Sequence, residues 1–250
     1  GTDTPTFKEA LRNAFRQAWL FQTEFVFSRR AVGLRVGDGE RVIVLSNGEE
    51  IRSRAVLLAV GISYRKLGIP HLDSLVGAGV YYSTAVSEAQ AMRGKRVYVV
   101  GAGNSSGEAA VFLSRYARQV TMLVRGGSMA ASMSDYLVQE IGDARNIDVR
   151  THTEVLDARG EQLLEGLLLR ENTTGEMEEV AADALFVLIG SEPHTDWLPP
   201  AICRDAQGYV VTGRDLAGDS LAGDWPLQRA PLPLETSVPG VFAAGDVRHG

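Results

Sequence analysis

The amino-acid sequence predicts an α/β fold, and three features carry this prediction. Residues Lys95–Arg125 run from an apolar, β-branched stretch through a glycine turn into a helical pattern and then into a second apolar stretch. Apolar runs of strand length recur elsewhere in the chain between turn signals. An amphipathic helical pattern over Thr6–Phe21 precedes them, with apolar side chains on one side and basic ones on the other. Strands and helices in this arrangement indicate an α/β protein.

Composition and charge argue against several classes of function. The 250 residues are 45% hydrophobic, which is enough for one large core or two small ones. The net charge of −6, without a cluster of Lys or Arg, argues against nucleic acid and anionic membranes as partners. The single Cys203 cannot form an internal disulfide, and the four histidines lack metal-ligand spacing. We therefore expect a cytoplasmic protein that binds no metal, nucleic acid or membrane.

Short strands are predicted between the first helix and the glycine turn. An Asn47-Gly48 pair between two alternating runs is a hairpin signal. The last of these strands is apolar from Ala55 to Val60 and is followed directly by Gly61. The predicted strands are Phe25–Ser28, Val32–Val36, Arg41–Leu45, Glu50–Ser53 and Arg54–Val60.

A β-turn-α-β unit follows. Val97–Val100 is typical of a strand buried on both faces, because it is a continuous apolar run. Ser105–Arg118 has helical spacing, and Gln119–Val124 is a second apolar strand. Gly101 and Gly103 lie between the first strand and the helix, where the missing Cβ permits a tight turn.

This glycine turn predicts a dinucleotide site. The helix N-terminus, with unpaired N–H groups and the positive end of the macrodipole, faces the turn where a pyrophosphate would lie. The third position of the G-x-G-x-x-G fingerprint is Ser106, which is small enough for close packing of helix on strand. The strand before the turn and the helix and strand after it make the motif strong evidence. The candidate cofactor-binding residues of the turn are Gly101, Gly103, Asn104, Ser105 and Ser106.

Arg125 ends the second strand, 19 residues after Ser106. An acid at this distance would hold a ribose 2′-hydroxyl, whereas an arginine favours a 2′-phosphate. Arg125 is therefore a candidate cofactor-binding residue that favours NADP(H), with NAD(H) still possible. The alternative is an arginine that simply faces solvent at a strand end.

The chain after Arg125 continues the same domain. A helix is predicted from Ser132 or Ser134 as N-cap, with Asp135 in its first turn, through Gly142. Thr174-Gly175 marks a turn within a strand meander, and the last buried strand ends on Gly190. The predicted strands are Ile147–Thr151, Val155–Asp157, Leu163–Glu171, Glu178–Ala181 and Ala184–Ile189.

Two further segments resemble a known family. Ala55–Pro70, reading AVLLAVGISYRKLGIP, looks like the A-T-G-x-x-x-x-x-L-x-I-P segment of the thioredoxin-reductase-like pyridine nucleotide-disulfide flavoproteins, with Gly61 at the motif's glycine and Val60 in place of its threonine. Thr236–Val247, reading TSVPGVFAAGDV, matches the family's second FAD motif. The resemblance implies FAD as a cofactor, with Asp246 bonded to a ribityl hydroxyl and the Gly245 backbone near the pyrophosphate. The alternative for Asp246 is a helix cap.

The resemblance also implies a domain organisation. Gly190 opens a segment similar to the family's G-x-x-P loop near the nicotinamide, and His194 stands where asparagine is usual, with no role expected for it. The family's nucleotide domain is inserted in its FAD domain. We therefore expect a NAD(P)H-binding domain at 80–204 between two pieces of a partial FAD-binding domain, 1–79 and 205–250. Members of the family begin with a further glycine fingerprint, for the ADP half of FAD, and continue past the Gly245-Asp246 motif into a helix that closes over the flavin. We therefore expect a chain truncated at both ends, and a homodimer for the intact protein.

The redox cysteines of thioredoxin reductases are expected at Thr84 and Ser87, where this sequence has hydroxyls. Hydroxyls form no disulfide, and Cys203 has no partner cysteine. We therefore expect hydride transfer from NADPH to FAD and onward to an unknown acceptor, a small molecule or a redox protein, as in ferredoxin or quinone reductases of the family, with no catalytic side chain. The alternatives are a nucleotide-sensing module and a thioredoxin-disulfide reductase that uses cysteines outside this chain.

Overall fold

The computed structural model describes residues 7–37, 39–83, 86–217 and 225–249, without the side chains of residues 7, 8, 86 and 87. The chain divides into two compact units. One consists of Gly1–Gly61 together with His194–Gly250, and the other is Ile62–Pro193. Both divisions lie N-terminal of the boundaries predicted from the sequence at 79/80 and 204/205.

The elements lie in the order α1, β1 to β5, α2, β6, α3, β7, α4, β8, α5 and β9 to β15. The helices are α1 (Phe7–Leu20), α2 (Pro70–Ser74), α3 (Val86–Ala91), α4 (Asn104–Ser114) and α5 (Asp135–Asp143). The strands up to α4 are β1 (Ala31–Val36), β2 (Arg41–Leu45), β3 (Glu50–Ser53), β4 (Val56–Leu58), β5 (Ile62–Tyr64), β6 (Val80–Tyr81) and β7 (Arg96–Val100). The later strands are β8 (Gln119–Leu123), β9 (Ile147–Arg150), β10 (Thr153–Arg159), β11 (Gly166–Glu171), β12 (Met177–Ala181), β13 (Ala184–Val187), β14 (Ser191–Pro193) and β15 (Val241–Ala243). Two 3-10 helices cover Gly213–Ala217 and Gly245–Val247.

The unit Ile62–Pro193 is built on a five-stranded parallel sheet in the order β6-β13-β7-β8-β9. Because side chains alternate along a strand, Val97 and Val99 pack in the cluster that contains the α4 and α5 residues. Tyr98 and Val100 pack in a second cluster, which contains residues of β10 and β11. The antiparallel meander β10-β11-β12 thus covers one face of the parallel sheet, and the two helices cover the other.

The unit formed by the chain's two flanks contains two small sheets. β1, β2 and β3 form an antiparallel meander, with the predicted Asn47-Gly48 turn between β2 and β3. β4 and β15 pair in parallel, with Val56 opposite Val241. Leu58 and Val241 are buried in the core of this unit. Two distant parts of the sequence therefore share one core.

The structure corrects three predicted elements. Phe25–Ser28 is not a strand, because Ser28 adopts a positive φ of 59° that ends an extended segment, and these residues pair with no described strand. The predicted strand Arg54–Val60 is reduced to β4, whose pairing with β15 spans three residues. The helix predicted over Ser105–Arg118 ends at Ser114.

Two features of the helices and short strands lie outside the predicted pattern. β5 and β14 form an antiparallel pair, with Ser63 opposite Glu192. α1 lies where the sequence predicts it, but its apolar side chains are exposed, with Trp19 65% accessible. Among the described residues, no helix combines the length and the apolar character needed to cross a membrane.

Candidate functional site

Gly101 directly follows β7, in the turn that leads to α4, and has a φ of 146°. A Cβ at this position would lie 2.4 Å from the carbonyl oxygen of Leu188 and 2.8 Å from the Cβ of Ser106. The Gly101 N–H donates to the carbonyl of Leu123 at 3.2 Å. Glycine is therefore the residue that lets β7, the end of β13 and α4 meet.

The N-terminus of α4 opens from this turn. Gly103 is the N-cap residue, with extended backbone and no side chain that could cap the helix. The first N–H groups of the helix therefore remain available to an anion, together with the positive end of the helix dipole. Ser106 is fully buried, and its Oγ donates to the Gly103 carbonyl at 2.7 Å. The Ser106 hydroxyl thus serves the turn itself.

A polar contact joins the N-termini of α4 and α5. Asn104 Oδ1 accepts from the N–H of Ser134 at 2.8 Å and from its Oγ at 3.1 Å. Ser132 Oγ donates to the carbonyl of Ala102 at 2.9 Å. Ser134 is the N-cap of α5, as one of the two predicted alternatives had it, but its hydroxyl makes no capping bond within α5. The sequence contains no signal for these hydrogen bonds, because the residues that they join lie 30 positions apart.

A cleft of about 1050 Å³ lies over the glycine turn. Its volume is near the upper end of the usual range for small-molecule sites. Arg125 is exposed at its wall, and within the described part of the chain its side chain makes no hydrogen bond or ion pair. Seven of the residues predicted to bind cofactor line this cleft: Gly101, Gly103, Asn104, Ser105, Ser106, Arg125 and Gly190.

Gly190 closes the other side of the same cleft. It follows β13 with a φ of 101°, and its carbonyl accepts the N–H of Arg65 at 3.0 Å. This bond extends the β5-β14 pairing up to the cleft. The short pair of strands, which the sequence did not indicate, therefore fixes the loop that carries Gly190.

The other three predicted residues lie in the unit formed by the flanks. Gly61 has a φ of 66°, and its carbonyl accepts the N–H of His194 at 3.2 Å. The imidazole of His194 donates from Nδ1 to the carbonyl of Val60 at 2.9 Å. His194, for which no role was expected, therefore bonds to the backbone of the motif that contains Gly61.

Gly245 and Asp246 line a second cleft, of about 740 Å³. Gly245 has a φ of 76°, and the Asp246 carboxylate is exposed, with no hydrogen-bond or ion-pair partner among the described residues. His249 Nδ1 donates to Asp205 Oδ2 at 2.7 Å in the same cleft. Burial would raise the pKa of Asp205, but bonds from His249, Tyr209 and Gln207 hold that pKa below its ordinary value.

Glu235 is a buried carboxylate in the segment that leads to this second cleft. It forms a two-pronged ion pair with Arg229 at 2.7 and 3.0 Å and accepts the N–H groups of Leu232 and Gly240. Burial opposes ionisation, but the bond from Arg229 dominates and lowers the pKa of Glu235 to about 2. Because Gly240 directly precedes β15, this carboxylate fixes the turn from which the strand to Gly245 begins. The sequence did not single it out.

Two hydroxyl residues occupy the positions at which the family's redox cysteines are expected. Thr84 lies outside the described residues, and Ser87 is described only as backbone within α3. Cys203 is half-buried in the unit formed by the flanks, and its N–H donates to Ser237 Oγ at 2.8 Å. No group of three or more potential metal ligands occurs within the described part of the chain.

Comparison with known proteins identifies relatives in one family. The profile of the pyridine nucleotide-disulphide oxidoreductase family matches residues 18–250. The thioredoxin reductase of Streptomyces clavuligerus is 35% identical over 209 residues, which are 83% of this chain and 58% of that protein. The thioredoxin reductase of Treponema pallidum is 31% identical over 241 residues, 96% of this chain and 70% of that protein. An alkyl hydroperoxide reductase polypeptide from Staphylococcus epidermidis is 32% identical over 219 residues, 87% of this chain.

The chain spans 39% of that Staphylococcus polypeptide and 58% of the Streptomyces protein. Among solved structures, thioredoxin reductase from Streptococcus pyogenes has a TM-score of 0.79 at 23% identity, covering 100% of this chain and 74% of that one. Thioredoxin reductase from Giardia duodenalis has the same TM-score at 24% identity, covering 99% and 76%. These structures agree with the predicted fold. Thioredoxin reductase homologues use FAD and NADPH, the cofactors predicted from the sequence. The chain therefore belongs to the pyridine nucleotide-disulphide oxidoreductase family and has the two-dinucleotide-binding-domain fold of thioredoxin reductases.

Proposed function

We propose that this chain contributes the nicotinamide-nucleotide site and part of the flavin site of an NAD(P)H-dependent flavin oxidoreductase that reduces its acceptor without a dithiol in this chain. The observation that carries the proposal is the Gly101 turn. A Cβ at position 101, in the turn between β7 and α4, would overlap the Leu188 carbonyl oxygen. A large cleft lies in front of the N-terminus of α4. That geometry suits a pyrophosphate.

The residues of the first cleft fit a phosphorylated dinucleotide. Gly101 and Gly103 allow its pyrophosphate to approach the N-terminus of α4, and the Asn104–Ser134 contact holds the N-terminus of α5 beside it. The Arg125 guanidinium, which has no partner among the described residues, would bind a 2′-phosphate, and this favours NADPH over NADH. Gly190 would lie toward the nicotinamide end.

The residues of the unit formed by the flanks fit the flavin part of FAD. The exposed carboxylate of Asp246 would accept from a ribityl hydroxyl, and the backbone of Gly245, which is also exposed, is open to the ligand. Gly61 belongs to the same unit and would support the flavin from its own motif. When bound, the nicotinamide supplies a hydride and the flavin takes it up and passes the electrons on. The chain's own share is to bind and orient these groups.

The cysteine content of the chain supports an acceptor that takes electrons from the flavin directly. Reduction of a protein disulfide proceeds through a thiolate and a mixed disulfide, and the 250 residues contain one cysteine. An acceptor that reaches the flavin directly, a small molecule or a redox protein such as a ferredoxin, needs no sulfur pair. A second candidate is reduction of thioredoxin through cysteines outside this chain, which the names of the relatives favour.

An anaerobic titration tests the proposal. The full-length protein, loaded with FAD, should lose its flavin absorbance when NADPH is added in equimolar amount. Binding of NADPH without bleaching would instead support a nucleotide-sensing module, and a protein that takes up neither cofactor would contradict the proposal.

A further inference from the structure

Leu234 has an unfavourable backbone conformation. Its φ is 64°, in the left-handed region that large side chains rarely adopt. Among the described residues, the other non-glycine residues with positive φ are Gln22, Ser28 and His152, all of them polar. Leucine has no polar group that could compensate the strain through a local hydrogen bond, so the surrounding contacts must enforce it.

The contacts on both sides of Leu234 do enforce this conformation. The buried carboxylate of Glu235 holds Arg229, the N–H of Leu232 and the N–H of Gly240. The N–H of Glu235 donates to the Leu232 carbonyl, and the Leu234 carbonyl accepts from Ala243 in β15. Hydrogen bonds thus hold the backbone on both sides of Leu234. The φ of Leu234 cannot change unless these bonds break.

The strain is not explained by burial of the side chain. Leu234 is 40% exposed and lines the cleft of Asp246. Most of the other residues along that cleft are polar, among them Asp205, Gln207 and Tyr209, and Ala244 adds only a methyl group. A leucine held under strain at the wall of a polar cleft gives the cleft an apolar surface, and this contributes little to the core of the unit.

We propose that Leu234 contacts the flavin held at Asp246, and that Glu235 is the positioning residue that keeps it there. This inference rests on the proposed function, because it takes the flavin as the ligand of the second cleft. Asp246 and Leu234 then contact different parts of the ligand. The carboxylate binds a polar part of the ligand, and the leucine packs against an apolar part.

The test separates a ligand contact from a structural role. Glycine adopts a positive φ without strain, and asparagine tolerates it while keeping a side chain of similar size. In Leu234→Gly and Leu234→Asn, the thermal unfolding midpoint of the FAD-free full-length protein should stay the same or rise. The Kd for FAD, measured by quenching of flavin fluorescence, should rise about tenfold through loss of the apolar contact. Gln22→Gly is the matched control, since it relieves the same kind of strain away from the cleft and should leave the Kd unchanged.

Two results would overturn the inference while the proposed function stands. One is wild-type affinity for FAD in both Leu234 variants. The other is a midpoint several degrees lower in both variants, which would identify Leu234 as a packing residue. Failure of the unchanged protein to bind FAD would overturn the proposed function as well, and is recognised from the wild-type measurement alone.

Discussion

At the scale of single residues, Gly101 decides whether β7, β13 and α4 can converge. In Gly101→Ala the added Cβ meets backbone oxygen at 2.4 Å, and the positive φ adds strain. We expect a loss of roughly 2–4 kcal/mol in the free energy of unfolding and loss of dinucleotide binding. Urea unfolding and a binding titration measure both effects. Gly142→Ala is the control: nothing lies within 4 Å of its added Cβ, and in α5 it should stabilise by about 0.5–1 kcal/mol.

Arg125 is the residue that we propose selects between the two nicotinamide cofactors. In Arg125→Ala we expect the KM for NADPH to rise about 10- to 150-fold, because a charge-assisted contact with the 2′-phosphate is worth roughly 1.5–3 kcal/mol. The KM for NADH should change little. Arg118→Ala, which removes an exposed arginine just before β8 rather than just after it, should alter neither. Equal changes for both cofactors in Arg125→Ala would contradict the assignment of NADP(H).

At the scale of elements, Glu235 fixes the turn that starts β15. Its pKa is lowered from 4.5 to about 2 in the folded state, so its contribution is fully present above about pH 4.5 and is lost as the pH falls toward 2. This shift corresponds to stability on the order of 3 kcal/mol at neutral pH. Glu235→Gln should be destabilised by roughly that amount at about pH 7 and much less near pH 3. Urea unfolding of both proteins at the two pH values checks this. A difference that grows in acid would contradict it.

Periodicity predicted α1 from the spacing within the helix itself, and it predicted the strands whose partners lie close by or whose burial is two-sided. α1, β2, β3, β7 and β8 lie where the apolar pattern placed them, within one or two residues. Phe25–Ser28 has the composition of a strand, but none of the described strands pairs with it, and composition cannot supply the partner that a strand requires. β5 and β14 were not predicted, because each has a partner in the structure but no recognisable pattern of its own. They are three residues each, and their pairing spans a long sequence separation.

The same dependence on local pattern decided which residues of the candidate sites could be predicted from the sequence. The glycine turn and Arg125 were predicted because their spacing is local, and the structure brings them together at one cleft. The Asn104–Ser134 contact and the Glu235 cluster depend on which loops meet in space. A glutamate between Leu234 and Thr236 has no local pattern that distinguishes a buried carboxylate from a surface one.

At the scale of the whole molecule, the two flanks of the chain form one compact unit, and the glycine turn lies in the other. The parallel pairing of β4 with β15 is what joins the flanks, since it brings Val56 opposite Val241. The resemblance of Ala55–Pro70 and Thr236–Val247 to two motifs of the family is the reason that we expect the flanks to be two pieces of one FAD-binding domain. We propose that the unit formed by the flanks holds part of FAD and that the other unit holds NADPH. The cofactor titrations test this proposal.

The central claim is that electrons pass from the flavin directly to the acceptor, without a dithiol between them. The measurement that tests it most directly follows NADPH oxidation by the full-length, FAD-loaded protein, first with a dye acceptor and then with thioredoxin. Thr84 and Ser87 carry hydroxyls, and Cys203 has no cysteine partner within the 250 residues. We therefore predict robust turnover with the dye and none with thioredoxin. Robust turnover with thioredoxin would contradict the claim, because a cysteine pair outside this chain would then have to supply the missing dithiol.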